Sequence, residues 1–571
     1  MYTADIKKNP RKFLPENFEL IDWASVEPYF KDLLAREINT KVDLEKWLQD
    51  QSELEAVVNE DSCWRQIRMT CDTENKALED AYTFYCMQIQ PNIEPYTDAL
   101  NKKLLASPFL ETLDKDLYYT YLRSIKNSIA LFRETNIPLQ AKISVLQQQY
   151  GQITGAMSVI VNGEEYTLQQ AAKFLESDDR NLREQVYKKI QNRRLQEKDR
   201  LDELYDELIA LRNTEAKNAG FENYRDYRFK ELDRFDYTKA DCFKFHEAVK
   251  EHVMPLVNDI YKHKKQKLGL QTLRPWDLDA EPEGTKPLHP FKTGKELVEK
   301  SIDCFSKLQP FFGECLQKMQ ELHHLDLESR KGKAPGGYNC PLAESGAPFI
   351  FMNAAGQMHD VTTMVHEGGH AIHSFLAHPL PLNGFKEYPM EIAEVASMAM
   401  ELFSMDYWES FFDNKADLQK AKEHQLERVI TIFPWIAIID KFQHWVYEHP
   451  MHTHQERTNA WVSILEEFKD GVIDYSGLEQ YRSNAWQRQL HLYEVPFYYI
   501  EYGIAQLGAI GMWKQYKNDK QAALQNYCNA LALGSTKTLP ELYYTAGLQF
   551  DFSSEKIKLL MDFVKQEMNN L

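Results

Sequence analysis

Along most of the chain, apolar residues return every three or four positions with charged residues between them, the repeat of amphipathic helices. From 14 to 150 this predicts helix throughout, interrupted near Pro91, Pro95 and Pro138, where a proline removes a backbone donor. Trp64, Tyr82, Phe84 and Tyr85 fall on the apolar stripes and read as core. Between 155 and 170 the period shortens to two: 157–161 is a β-like run, Asn162-Gly163 a hairpin turn, and 164–168 the return strand. A charge-rich helix is expected from about Ser177 to Asn218, closed by Gly220. A soft boundary near 180 divides an N-terminal helical region with the short hairpin, 1–180, from a second helical region, 181–571. Helices are expected again at 237–270 and 293–325, separated by a loop rich in Pro, Glu and Gly up to Pro290. Residues 330–353 are the least helical part of the second half: 331–337 is a Gly/Pro loop and 348–353 reads as one strand. The fold class is therefore mainly α, with a few short strands.

Composition narrows the class. With 571 residues, 43% of them hydrophobic and 27% charged, the chain can bury a large core. The formal net charge of -19 argues against nucleic acid as a partner, since that footprint needs basic patches. No apolar run approaches a membrane span. The strongest, 429–439, contains Pro434 and reads as a buried helix. The stretch 1–8 has no apolar run behind its lysines, and the eight cysteines are scattered without a C-x-x-C. Reduced thiols and a cytoplasmic protein are expected.

The chemistry concentrates in Val365-His366-Glu367-Gly368-Gly369-His370. Four residues apart on a helix, His366 and His370 leave one face about a turn apart, a spacing suited to one Zn²⁺, with Glu367 able to reach water beside the ion. Asp360 is expected to cap this helix and Pro379 to end it. Two glycines inside a helix are costly and imply close approach by substrate or a packed neighbour. A catalytic zinc needs a third protein ligand. Pro389 opens a helix in which Glu391, Glu394 and Glu401 interrupt a strongly apolar run. Buried carboxylates need cationic compensation, which points to Glu394 as ligand and to Glu391 and Glu401 as hydrogen-bond acceptors for the ligand histidines; an exposed edge is the plain alternative. Further on, 491–503 contains His491, Tyr498, Tyr499 and Tyr502, groups suited to donating to an oxyanion, or equally an aromatic core. His373 reads as packing or as a residue supporting the ligands, and His323, His324, His449, His452 and His454 as ordinary surface residues.

H-E-G-G-H, Glu394 in Ala-Glu-Val-Ala-Ser, and His491 followed by Pro-Phe-Tyr-Tyr-x-x-Tyr together resemble the thimet oligopeptidase and oligoendopeptidase F zinc peptidases, and more closely the oligoendopeptidase F branch. Arg-Lys-Gly-Lys-Ala-Pro-Gly-Gly-Tyr at 330–338, Trp276-Asp277 and Asp179-Arg180…Arg183 add to the likeness. The resemblance implies a helical ellipsoid split by a deep substrate channel and one Zn²⁺ per chain. It implies that His366, His370 and Glu394 hold the metal, that Glu367 is the base, and that His491, Tyr499 and Tyr502 are substrate and oxyanion contacts. The tyrosine register is two-way, Tyr498 being the alternative to Tyr499. The implied activity is endopeptidase action on short peptides. Pro348, Phe349 and Ile350, with Tyr498, are expected to contact the peptide, the strand by main-chain pairing, while the glycine loop at 332–337 closes over it. A helical zinc carboxypeptidase and a metal-free peptide-binding scaffold are the competing readings.

Overall fold

The computed structural model describes residues 4–571 apart from Lys7, Asn9, Glu283 and Gly284. Met1–Thr3 and Lys7 of the N-terminal stretch, and Glu283 and Gly284 of the loop before Pro290, lie outside the described residues. Helices dominate, and the strands form two small sheets. No described helix is long and apolar enough to cross a membrane.

Two apolar cores organise the helices. One is built from Leu14 to Ile125, with Leu382 and Phe385 inserted from the second half. The larger one takes in the helix Ile137–Gly155 and runs through to Val564. The hairpin forms as its turn chemistry predicts: β1 (Ser158–Val161) pairs antiparallel with β2 (Glu164–Thr167), and Asn162 and Gly163 both take positive φ.

The charge-rich stretch after the hairpin is two helices, Arg180–Gln196 and Lys198–Asn218, broken at Glu197. Asp179, not Ser177, supplies the cap, accepting from the N–H groups of Asn181 and Leu182. Its first turn carries Arg180 and Arg183, whose guanidinium groups converge on the fully buried Asp277 at 2.8 and 2.9 Å. Two motifs separated by nearly a hundred residues are thus one buried ion cluster. The expected buried helix around Pro434 is part of a much longer one, Lys415–Glu448, with Pro434 inside it.

The second sheet changes an expectation. Its order is β3-β5-β4, with β3 (Leu325–Glu328) parallel and β4 (Tyr338–Cys340) antiparallel to β5 (Phe349–Ala354). β5 is therefore the central strand, and both its edges are taken. Pro348, Phe349 and Ile350 are buried and cannot pair with a peptide. The outer edges belong to β3 and β4. The glycine loop before it is tied down rather than a loose flap: Thr73 donates its N–H and hydroxyl to the Gly332 carbonyl at 2.6 and 2.7 Å, and Ala334 N–H donates to the Thr70 carbonyl at 2.8 Å.

Candidate metal centre and active site

The motif lies on the helix Met358–Ala377. Gln357 is its N-cap, and Asp360 sits one turn in, where its Oδ2 accepts N–H groups from Ala355, Gly356 and Gln357 at 2.7–2.8 Å. That carboxylate neutralises the open amides at the helix start and fixes how the helix leaves β5.

Packed against it is the acidic helix Met390–Ser404, and Gly369 is the reason they come so close. A β-carbon on Gly369 would stand 2.5 Å from the Ala396 carbonyl oxygen and 2.6 Å from Ser397 Cα; one on Gly368 would meet the Phe305 ring at 2.7 Å. What approaches is protein backbone. The contact carries Glu394 to both histidines: its Oε2 lies 3.3 Å from His366 Nε2 and 3.4 Å from His370 Nε2. Ser397 donates to the same oxygen at 3.0 Å, and the Tyr498 hydroxyl donates to Oε1.

His366 is oriented from behind. Its Nδ1 meets Glu401 Oε1 at 2.7 Å, Gln425 Nε2 donates to Glu401 Oε2 at 2.8 Å, and Thr362 donates to Gln425 Oε1 at 3.1 Å. Glu401 thus takes the acceptor place expected of it. Glu391 does not: it is buried and bears electrostatically on Arg234, Glu501 and Tyr237, away from the ligand histidines. Both are acidic positions on one apolar helix, but the seven-residue separation of Glu394 and Glu401 keeps them on the metal face, whereas Glu391 precedes Glu394 by only three. Gln425 escaped the sequence reading because it lies on another helix, in no register with the motif.

Glu367 is buried beside these groups. Its Oε2 has no hydrogen-bond partner among the described residues. Burial pushes its carboxyl up from the ordinary value, against the pull of His366 and His370.

The histidine–tyrosine segment divides into two faces. Tyr498, Tyr502 and His491 line a cavity of about 1260 Å³ between the two halves of the chain; Tyr499 does not. Tyr498 and Tyr502 are one helical turn apart and share a face, while Tyr499 is rotated by about 100° and is buried near Trp435. Of the two registers, the structure turns Tyr498 toward the cavity and Glu394, and Tyr499 away from them. The turn that aims Tyr498 is built at Phe497, a left-handed residue (φ 65°) whose N–H donates to Gln443 Oε1 at 2.6 Å and whose carbonyl accepts from Arg234.

The protonation of His491 follows from its neighbours. Trp435 Nε1–H, which can only donate, reaches Gln489 Oε1 at 2.9 Å, so the Gln489 amide nitrogen faces His491 Nδ1, at 2.7 Å, and donates to it. The proton of the neutral ring is on Nε2, 3.0 Å from the Tyr502 hydroxyl. Tyr502 accepts there and keeps its own O–H free for the cavity. Burial holds the His491 imidazole down at about 4, so it is neutral. Gly337, just before β4, faces Glu367: a β-carbon there would lie 3.5 Å from Glu367 Oε1.

Residues 173–560 match the model of peptidase family M3, and 13–132 match the peptidase M3 N-terminal domain. The chain belongs to peptidase family M3. Within M3 it falls in the oligoendopeptidase F branch. It is 22% identical to an oligoendopeptidase F homolog of Borreliella burgdorferi over 560 residues, covering 90% of each chain. It is 23% identical to the oligopeptidase PepF of Bacillus subtilis over 429 residues, 70% of this chain and 58% of that one. Among solved structures, a putative oligoendopeptidase F superposes with a TM-score of 0.92 at 27% identity, and PZ peptidase A with an inhibitor with 0.92 at 25%; each match covers 98% of this chain and 99% of the other. This M3 peptidase therefore shares their helical architecture along its whole length.

His373, the expected packing residue, is fully buried and stacks on Tyr388 with centroids 3.5 Å apart. His449 and His454 are exposed, as expected of surface residues, but His324 is buried, its Nδ1 3.0 Å from the Ala347 carbonyl.

Proposed function

We propose that this M3 peptidase is a zinc-dependent endopeptidase that cuts internal bonds of short peptides, and that His366, His370 and Glu394 hold its zinc. The single observation that carries this is the position of Glu394 Oε2, 3.3 and 3.4 Å from the two Nε2 atoms. Ligands about 2.0–2.1 Å from a tetrahedral zinc stand roughly 3.3 Å from one another, so this donor set fits that ion. The unpartnered, buried Oε2 of Glu367 beside it supports the same reading. When bound, zinc supplies Lewis acidity, polarising the scissile carbonyl and making water a better acid.

The protein's own residues do the rest. Glu367, with its carboxyl buried and its Oε2 free, takes a proton from the attacking water and delivers it to the leaving amine nitrogen. Tyr502 donates its free O–H to the oxygen that becomes anionic, while His491 Nε2–H holds the tyrosine in place; such donors are often the largest catalytic contribution. Tyr498 holds the Glu394 carboxylate. The open edge of β4 pairs with the extended peptide, and Gly337 leaves room for its backbone beside Glu367. An enclosed channel admits short peptides and turns away folded chains. The eight unpaired cysteines fit a reducing compartment, in support of a cytoplasmic location.

The test is an internally quenched peptide blocked at both ends, incubated with the zinc-loaded protein and with Glu367→Gln. Cleavage by the parent and a loss of at least about a hundredfold in the variant are expected. A carboxypeptidase would leave the blocked peptide intact, and undiminished activity in Glu367→Gln would remove the base.

A further inference from the structure

Among the described residues, a second group has its ligand-type atoms within 4.8 Å of one another, remote in sequence from the catalytic motif: Cys242, Asp440 and His444. Two helices build it. Cys242 and His246 stand four residues apart on Lys239–Ala248, and Asp440 and His444 four apart on Lys415–Glu448, so each helix offers one pair from a single face. All four side chains are at most 1% exposed. His246 Nε2 lies 2.8 Å and His444 Nε2 3.3 Å from Asp440 Oδ2.

The direct contacts leave much unmade. Asp440 Oδ1, both ring nitrogens of His444 and His246 Nδ1 have no hydrogen-bond partner among the described residues, although all are buried. A buried polar atom without a partner is costly, and the pairing of Asp440 with His246 alone relieves neither Cys242 nor His444. The nearby guanidinium of Arg234 makes no hydrogen bond to the cluster: its Nη2 is engaged by Glu501 at 2.6 Å and by the Phe497 carbonyl, and its Nε and Nη1 have no partner among the described residues.

We propose that Cys242, Asp440 and His444 form a second, structural metal site for a zinc-class ion, with His246 orienting the Asp440 carboxylate. Thiolate, imidazole and carboxylate are the donors that zinc prefers. Ligand atoms of a tetrahedral zinc set are roughly 3.3–3.8 Å apart, so shifts of about 1 Å close the cluster on an ion. On binding, the sulfur–metal bond replaces the Cys242 S–H bond and the proton leaves to solvent. With no exposed approach, the ion enters as the protein folds. Its position ties it to the active site, because Gln443, between two ligands of the long helix, accepts the Phe497 N–H, and the Phe497 ring lies 5.4 Å from His444. The ion would lock the helix Lys239–Ala248 to the long helix, which supports the turn aiming Tyr498 through Gln443 and His444.

The inference is independent of the catalytic reading, and one set of measurements separates them. The full-length parent, His370→Ala and Cys242→Ser are purified without added metal chelators and their zinc is counted by mass spectrometry. Two equivalents are expected in the parent and one in each variant. One equivalent in the parent with none in His370→Ala overturns the second site; one equivalent in the parent that survives in His370→Ala but disappears in Cys242→Ser overturns the catalytic one instead. Should Cys242→Ser not fold, cobalt decides on the folded proteins. Cobalt-loaded His370→Ala is expected to show a thiolate-to-cobalt charge-transfer band, which the thiol-free catalytic set cannot give. Absence of that band overturns the proposal.

Discussion

At the scale of single residues, Tyr498 and Tyr499 show what neighbouring letters conceal. In the sequence they are adjacent and chemically identical, and the motif permits either register. In the structure one hydroxyl reaches the Glu394 carboxylate, while the other ring is buried at the back of the helix. The deciding geometry is the turn at Phe497, held by Gln443 and Arg234, and nothing local to the motif announces those anchors. His366, His370, Glu367 and Glu394 were legible because helical spacing and buried acidity are properties of the sequence itself. Tyr502→Phe removes the hydroxyl that faces the cavity with its own proton free and is expected to lower kcat about a hundredfold or more with KM nearly unchanged. Tyr499→Phe is expected to leave both parameters within a few-fold. Steady-state kinetics on one quenched peptide compares them, and the reverse order would restore Tyr499 to the active site.

Elements were legible where periodicity alone determines them, and less so where partners do. The hairpin, the motif helix and the acidic helix could be read directly. That 348–353 is a strand could also be read, but its place in the sheet could not, because strand order depends on β3 and β4, each too short to register as a pattern. The central position of β5 leaves the outer edges of the sheet to β3 and β4, and it is the β4 edge that is proposed to take the peptide. The same dependence on partners explains the glycines. At Gly369 the neighbour is helix backbone, which cannot turn aside; at Gly368 it is the tip of the Phe305 ring, which can. Gly369→Ala is therefore expected to force the two metal-bearing helices apart, costing about 1–3 kcal/mol and weakening zinc retention, with Gly368→Ala milder on both counts. Denaturant midpoints and zinc content after dialysis measure these. Equal retention by both variants would show that helix contact does not set the ligand geometry.

For the whole molecule, the decisive feature is the cavity between the halves, whose walls hold groups that are half-buried only while the halves stay together. Glu494 is one. It lines the cavity, and its own backbone carbonyl accepts from Gln147 in the N-terminal half. Burial pushes its carboxyl from 4.5 up to about 8. Near neutral pH the folded form holds this proton, and the unfolded chain, with its ordinary carboxyl, does not. Folding is then favoured by the protonated group at low pH. Its contribution is complete below about 4.5 and falls away as pH rises from there to about 8. Glu494→Gln, neutral at every pH and nearly the same shape, is expected to flatten this loss, so that its melting temperature exceeds that of the parent by more at pH 8 than at pH 5. A difference that stays constant with pH would mean that Glu494 is hydrated in the folded protein and that the channel wall there is open to water. The outcome bears on the enzyme as well as on its stability, because the wall that shields this carboxyl also lines the cavity at His491 and Tyr502.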